Sequence, residues 1–429
     1  MVPVEPAGAV LEDHAVAVRG GRIEALLPAA QALARFPGAE EVALPGHVLI
    51  PGLVNAHTHA AMSLMRGLSD DLPLMRWLED HIWPAEAKLV SPQFVRDGTL
   101  LACAEMLRGG ITCMNDMYMF PEASYDAAAA AGMRVALGLI VLEFPTPYAS
   151  DPDDYLRKGL ALRDRLRDRP LVSFCLAPHA PYTVSDASFR KIGTLAAELD
   201  LPVHVHLHET ADEIARSMAE HGVRPVERLR RLGLVAPNLI AVHAVHLDDA
   251  EIALLGLHGC SVAHCPSSNL KLASGFARTH AMLKSGINLA LGTDGAASNN
   301  RLDLMQEMRT AALLAKAVAG DAEALPAHAA LRAATLGGAL ALGLGSTIGS
   351  IEPGKAADLV ALDLGAPELA PCYDPVSHLV YAAGREHVSD VWISGKRLVR
   401  EGALLPEAFS GLDTRWRMWQ NALEDHADT

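Results

Sequence analysis

None of the six cysteines, Cys103, Cys113, Cys175, Cys260, Cys265 and Cys372, forms a Cys-x-x-Cys pair, and their spacing has no disulfide rhythm. Most sit within apolar runs, which suits reduced, buried thiols in a cytoplasmic protein. Basic residues are also short, 36 Lys and Arg against 51 Asp and Glu, for a formal charge of −15. Such a surface repels nucleic acid and anionic lipid, so neither a nucleic acid polymer nor a membrane is expected as a partner. The N-terminus has no basic segment followed by an apolar one, and no apolar run reaches membrane-spanning length. A soluble, unexported protein is expected. There is no internal repeat beyond strand–helix alternation, and no low-complexity linker.

What is present is apolar bulk. A chain of 429 residues, half of them apolar, exceeds one ordinary domain, so one large domain and a smaller one are expected. Both ends are β-rich. Ala15–Val18, Gly20-Gly21 and Arg22–Leu27 near the start resemble Asp358–Leu362 and Val388–Val399 near the end, where Ser394-Gly395-Lys396 makes a hairpin turn. The reading is a small β-sandwich domain from residues 1–50 plus 350–411, a catalytic barrel over 51–349, and an amphipathic closing helix over 412–429. Trp416 and Trp419 in that helix read as packing residues.

The central segment alternates apolar runs with helical stretches. The runs are Leu53–His59, Gly110–Asn115, Arg134–Leu142, Leu171–Ala177, Pro202–Leu207, Asn238–Val242, Gly259–Ala263 and Ile287–Gly292. Between them, Pro92–Arg108, Asp154–Arg167, Asp186–Leu199 and Asp212–Leu232 show helical spacing, and Ala127–Ala131 reads as helix. Eight such alternations predict an α/β fold, a closed (β/α)8 TIM barrel whose active site lies at the C-terminal strand ends. A doubly wound open sheet would bring a glycine-rich turn after its first strand; Asn55-Ala56-His57-Thr58-His59 is unlike one.

The strand ends carry the chemistry. On a strand, the period of two puts His57 and His59 on one face, able to reach one cation. His-x-His alone is weak, because two packed histidines would look the same. Later runs end in His179, His206, His243 and Asp294, and a site needing three or four N/O ligands is naturally built from several strand ends. The fifth strand offers His204, His206 and His208 on one face, so spacing does not choose among them. Asp294 beside Gly295 reads as a turn former or as a metal and proton-transfer group.

These residues resemble the amidohydrolase superfamily and, within it, the 5-methylthioadenosine/S-adenosylhomocysteine deaminases. The resemblance is carried by Pro-Gly-Leu-Val-Asn-Ala-His57-Thr-His59, Arg66-Gly-Leu-Ser-Asp-Asp71, Trp83-Pro-Ala-Glu86, Glu105-Met-Leu-Arg-Gly-Gly-Ile-Thr112 and Asn115-Asp-Met-Tyr118. It continues in Ala177-Pro-His179-Ala-Pro-Tyr182, His206-Leu-His-Glu209, His264-Cys-Pro-Ser-Ser-Asn269 and Gly292-Thr-Asp294-Gly-Ala-Ala-Ser-Asn299, so it covers most of residues 45–365.

The resemblance implies that His57, His59, His206 and Asp294 hold one divalent metal per subunit, zinc, with iron or manganese as alternatives. The fourth strand offers His179 but no lysine for a carbamate bridge, which argues for one metal rather than two. Glu209 is implied as the acid that protonates the ring nitrogen beside the attacked carbon, with a helix-start carboxylate as the plain alternative. His243 and Asp294 are implied to orient and deprotonate the water, and which takes the first proton stays open. A core histidine is the alternative for His243. His204, His208, His246 and His264 are read as structural.

Substrate contacts are implied for Glu86 through the ribose hydroxyls, for His179 through the nucleoside, and for Glu209 and Asp294 at the base. Trp83 reads either as an apolar wall for the base or a thioether tail, or as a loop anchor. The arginines expected for a nucleoside tail have no match: the third strand ends Val141-Leu142-Glu143-Phe144-Pro145, leaving the tail preference open. The resemblance also leads to expect a further strand ahead of Pro3-Val4-Glu5-Pro6. The expected activity is hydrolytic deamination of 5′-methylthioadenosine, S-adenosylhomocysteine or adenosine by a homo-oligomer acting on a small purine nucleoside. The competing readings are a hydrolase of a triazine, guanine or 8-oxopurine, and a non-catalytic scaffold that keeps the fold.

Overall fold

The first strands, β1 (His14–Arg19) and β2 (Arg22–Pro28), make an antiparallel hairpin turned at Gly20 and Gly21, whose φ values of +55° and +79° suit the glycine turn. The computed structural model describes residues 1–427. Strand β3 (His47–Pro51) runs through Gly52 into β4 (Leu53–Thr58). A Cβ at Gly52 would fall 2.0 Å from Thr112 Oγ1, so the glycine is required by the close packing of the neighbouring strand.

From β4 the chain builds the barrel. Strands β5 (Ile111–Asp116), β6 (Arg134–Val141), β7 (Val172–Pro178), β8 (Val203–Leu207), β9 (Leu239–His243), β10 (Ser261–His264) and β11 (Asn288–Leu291) follow in spatial order, each parallel to the last. Buried on both faces, they read as continuous apolar runs. The seam between β11 and β4 is closed at the strand ends. Thr293 N–H donates to Asn55 Oδ1 (3.0 Å), Asn55 Nδ2–H to Thr293 Oγ1 (2.8 Å), and Asp294 N–H to His57 O (3.1 Å). Barrel closure and site assembly therefore use the same residues.

The second sheet draws on both ends of the chain. Strands β12 (Leu359–Asp363), β13 (Val388–Ile393), β14 (Lys396–Arg400) and β15 (Ala403–Leu404) lie with β3 in the order β15-β14-β13-β12-β3, all antiparallel. Ser394 and Gly395, with φ of 46° and 75°, form the expected β13–β14 turn. A buried ion pair ties this sheet to the barrel: Arg134 Nε and Nη2 donate to Asp358 Oδ2 and Oδ1 at 2.9 and 3.0 Å.

The helices Pro92–Arg108 and Asp186–Leu199 stand as expected, each opened by a serine that accepts the N3 amide. The span 212–232 differs from the single helical stretch expected. It forms two helices, Ala211–His221 and Pro225–Arg231, because Gly222 takes a left-handed φ of 69° that ends the first and Pro225 opens the second. The closing helix runs Leu412–Ala427; residues 428–429 of the expected span lie outside the described residues. Trp419 supports the packing reading: its ring meets Phe94 edge-on at 5.1 Å and its Nε1–H donates to buried Asp97 at 3.0 Å. Among the described residues no helix is long and apolar enough to cross a membrane.

Candidate active site

The C-terminal ends of the barrel strands open onto one cavity of about 270 Å³, lined among others by His59, Trp83, Glu86, His179, His206, Glu209, His243 and Asp294. Each of these was singled out from the sequence. His57 lies just behind, wholly buried.

Two overlapping donor groups share His57. His57, His59 and Asp294 form one, and His57, His206 and His243 the other, with ligand atoms in each within 4.8 Å of one another. Asp294 Oδ1 sits 3.3 Å from Nε2 of both His57 and His59. The expected ligand set His57, His59, His206 and Asp294 thus spans both groups, with His243 beside it. The imidazoles are held for lone-pair donation. His59 Nδ1 is anchored to Met117 O (2.6 Å) and His206 Nδ1 to His179 O (2.7 Å), which leaves each Nε2 for the cavity. Among the described residues the buried Nε2 of His243 has no hydrogen-bond partner, and that of His57 faces Asp294 Oδ1 at 3.3 Å, an arrangement of donor atoms that suits a cation.

Electrostatics agree with the geometry. Burial pushes His57 down to about 4, against the opposing hydrogen bond to Asp294. His206 is driven well below the usual histidine value by burial and then by His179, His57 and its other imidazole neighbours. Neutral imidazoles are the form that binds metal. For Asp294, burial alone would raise the carboxyl, but the His57 hydrogen bond and the charges of His57, His59 and His243 outweigh it and hold the group well below its ordinary range. Ser268 Oγ and Ser298 Oγ donate to its Oδ2 at 2.6 and 2.7 Å, and Gly295 N–H donates to Oδ1 at 2.8 Å. Three imidazoles or more, one fixed carboxylate and an orphaned ring nitrogen fit a divalent metal.

Backbone strain gathers in the same place. His243 (φ 68°), Ala244 (φ 49°), His208 (φ 55°) and Asp294 (φ 59°) all sit at positive φ just where the strands end. Glu209 stands directly ahead of the helix Ala211–His221 without being its cap. Thr210 is the cap of helix Ala211–His221, accepting from Glu213 N–H, while the Glu209 carboxylate lies 3.8 Å from His243 Nε2. Burial raises the Glu209 carboxyl, partly opposed by His243.

Glu86 reaches the cavity from helix Trp83–Leu89, which follows a π-helical turn at Leu78–Ile82. Burial raises its carboxyl, and Tyr118 O–H donates to it at 2.6 Å. His179 pairs through Nδ1 with Thr183 Oγ1 at 2.9 Å, leaving Nε2 unengaged by it. Trp83 opens helix Trp83–Leu89 rather than anchoring a loop; it lines the cavity, and its ring lies 6.3 Å from that of Phe144.

Several supporting residues were not singled out from the sequence. Tyr118, Ser268 and Ser298 stand inside quoted motif blocks but carry no local signal of their own. Glu213, one helical turn beyond Glu209, accepts the backbone N–H of His208 and of Glu209, both at 2.9 Å. His204 was read as structural, and its Nε2 lies 3.1 Å from His57 Nδ1. His208 and His246 stay structural: His208 lies among Arg224, Glu251 and Val226, and His246 is bonded to Ser274 O.

Comparison with known proteins agrees with this site. The sequence profile of the amidohydrolase family matches residues 48–398. A protein of Saccharophagus degradans named 5-methylthioadenosine/S-adenosylhomocysteine deaminase is 49% identical over 404 residues, 94% of this chain and 91% of its own. A crystal structure of an adenosine deaminase from Xanthomonas campestris with bound zinc superposes with a TM-score of 0.97 at 54% identity, covering 99% of this chain and 97% of that one. An atrazine chlorohydrolase of Arthrobacter aurescens, 24% identical with a TM-score of 0.89 over 96% of each chain, shares the fold. This chain belongs to the amidohydrolase family and, within it, to the 5-methylthioadenosine/S-adenosylhomocysteine deaminases.

Proposed function

We propose that the protein is a zinc-dependent aminohydrolase that converts 5′-methylthioadenosine, S-adenosylhomocysteine or adenosine to the inosine analogue and ammonia. The carrying observation is that His59, His206, His243 and Asp294 line one cavity together with Glu209, with His57 close behind them. His57, His59, His206 and Asp294 are assigned to hold one zinc ion per subunit. That ion supplies the Lewis acidity that brings the pKa of a water to about 7.

The other roles follow from the donors present. Glu209, whose carboxyl burial raises, is assigned to pass a proton to the ring nitrogen beside the attacked carbon, relieving the charge that attack pushes onto the ring. Asp294 and His243 orient the water and take its proton. As the new C–O bond forms and the C–N bond breaks, the amino nitrogen gains one proton and leaves as ammonia, the other hydrogen of the consumed water balancing the proton placed on the ring nitrogen. Glu86, oriented by Tyr118, accepts from the ribose hydroxyls, and His179 offers Nε2 to the nucleoside.

The test is ultraviolet monitoring of metal-analysed enzyme against adenosine, 5′-methylthioadenosine, S-adenosylhomocysteine, guanine, 8-oxopurines and chlorotriazines. The aminopurine nucleosides are expected to turn over at least tenfold more efficiently than the others. A preference for a free base or a triazine would overturn the assignment.

A further inference from the structure

The cavity's charged side chains and histidines lie near the strand ends. The histidines, Glu209 and Asp294 cluster where the strands end, and the Glu86–Tyr118 pair adjoins them, with the Tyr118 ring 6.3 Å from His59. Other wall segments come from outside the barrel strands: the turn holding Trp77, Leu78 and Ile82, the helix that begins at Trp83, and the loop after β6 that carries Phe144. Trp77, Leu78 and Ile82 are buried in one apolar cluster against which Trp83 packs. The rings of Trp83 and Phe144 approach at 6.3 Å with a 60° tilt, and Phe144 keeps 39% of its surface exposed.

Among the described residues no lysine or arginine lines the cavity, and the charged side chains that do, besides histidine, are the carboxyls of Glu86, Glu209 and Asp294. Cations that touch residues at or next to the wall are engaged outward. Lys158 Nζ donates to Tyr148 O at 2.6 Å and pairs with Asp154 at 2.9 Å. Arg216, over the Tyr182 ring at 5.9 Å, donates to Glu220 at 2.8 Å. A tail carboxylate seated against Trp83 and Phe144 would lose water and meet apolar rings instead of a cation, a costly exchange. A thioether with a short alkyl group loses little by leaving water and gains contact with aromatic edges.

Resting on the deaminase reading above, we propose that this cavity selects nucleosides by an uncharged, apolar 5′ substituent seated against Trp83 and Phe144. It disfavours the zwitterionic amino-acid tail of S-adenosylhomocysteine. The selection acts through charge rather than length, because the walls that would meet the tail are apolar and Phe144 stands at an open rim.

The experiment compares kcat/KM of the metal-loaded enzyme for 5′-methylthioadenosine, 5′-butylthioadenosine, 5′-deoxyadenosine and S-adenosylhomocysteine. Butylthioadenosine has the four-carbon length of the homocysteine tail without its charges. Both alkylthio nucleosides are expected to exceed 5′-deoxyadenosine, and S-adenosylhomocysteine to fall at least tenfold below butylthioadenosine. Phe144→Arg is expected to raise the ratio of S-adenosylhomocysteine to methylthioadenosine at least fivefold. Equal efficiency for the charged and uncharged tails of equal length would overturn the inference while leaving the deaminase reading intact. An unmoved ratio in Phe144→Arg would remove Phe144 from it. Turnover of no aminopurine nucleoside would overturn the deaminase reading, and the inference with it.

Discussion

His57 Nδ1 and His204 Nε2 lie 3.1 Å apart in a fully buried pair, and His204 Nδ1 has no partner beyond it. For His57 to present the Nε2 lone pair to a cation, its Nδ1 must carry the proton and donate it to His204. With His57 as a metal ligand, as proposed, His204 would play the part that a carboxylate or carbonyl more often plays behind such a histidine. Its own pKa, driven well below the usual value by burial and then by His57 and its other imidazole neighbours, keeps it neutral and able to accept.

His204→Ala is expected to weaken metal retention about 10- to 100-fold, the usual cost of losing such a support. Chelator competition followed by metal analysis measures it. Wild-type affinity in the variant would show that His57 needs no such partner.

Glu209→Gln is expected to keep full metal content and to lose about 10²- to 10⁴-fold in kcat, because the amide has no proton of comparable acidity to give. Wild-type turnover in this variant would show that Glu209 is not the acid.

Glu213 sets a pH dependence of stability. Burial pushes its carboxyl up from 4.5 to about 8, although it accepts two backbone N–H groups. The folded protein thus holds the proton more tightly than the unfolded chain. This stabilising difference is complete below about 4.5 and is lost as pH rises through about 8. Denaturant unfolding at pH 6 and pH 8.5 should show a larger loss of stability for wild type than for Glu213→Gln. Parallel losses would mean that the carboxylate is already ionised at the lower pH.

Arg134→Met is expected to destabilise the protein by about 3–5 kcal/mol, because it strands the buried Asp358 carboxylate between the barrel and the second sheet. Urea midpoints report this, and the double variant Arg134→Met/Asp358→Leu should recover much of the loss. No recovery would mean that packing, not the stranded charge, carries the cost.

Much of the architecture was written locally. Eight apolar runs separated by helical spacing identify the strands to within one or two residues, since a strand buried on both faces must be continuously apolar whatever surrounds it. The side chains that gather at the cavity were legible for a related reason: a barrel concentrates function at strand ends, and a histidine or aspartate closing an apolar run is visible in one dimension. The break in 212–232 was also available in Gly222 and Pro225, but helical periodicity on both sides hid it.

By itself, then, the sequence determined the strand count, the donor types and the excess of acid over base. Strand spacing did not choose among His204, His206 and His208; the family resemblance named His206, and only the tertiary structure supplies the physical reason the three differ. Alternation assigns all three to one face, yet the chain turns at His208 with φ of 55° and carries that ring out to Arg224 and Glu251, while His206 lines the cavity and His204 backs His57. The meeting of Asp294 with His57, and of Trp83 with Phe144, likewise depends on barrel closure and loop packing between residues far apart in the chain. Side-chain period is a property of one strand, whereas a site is a property of where several strands end together.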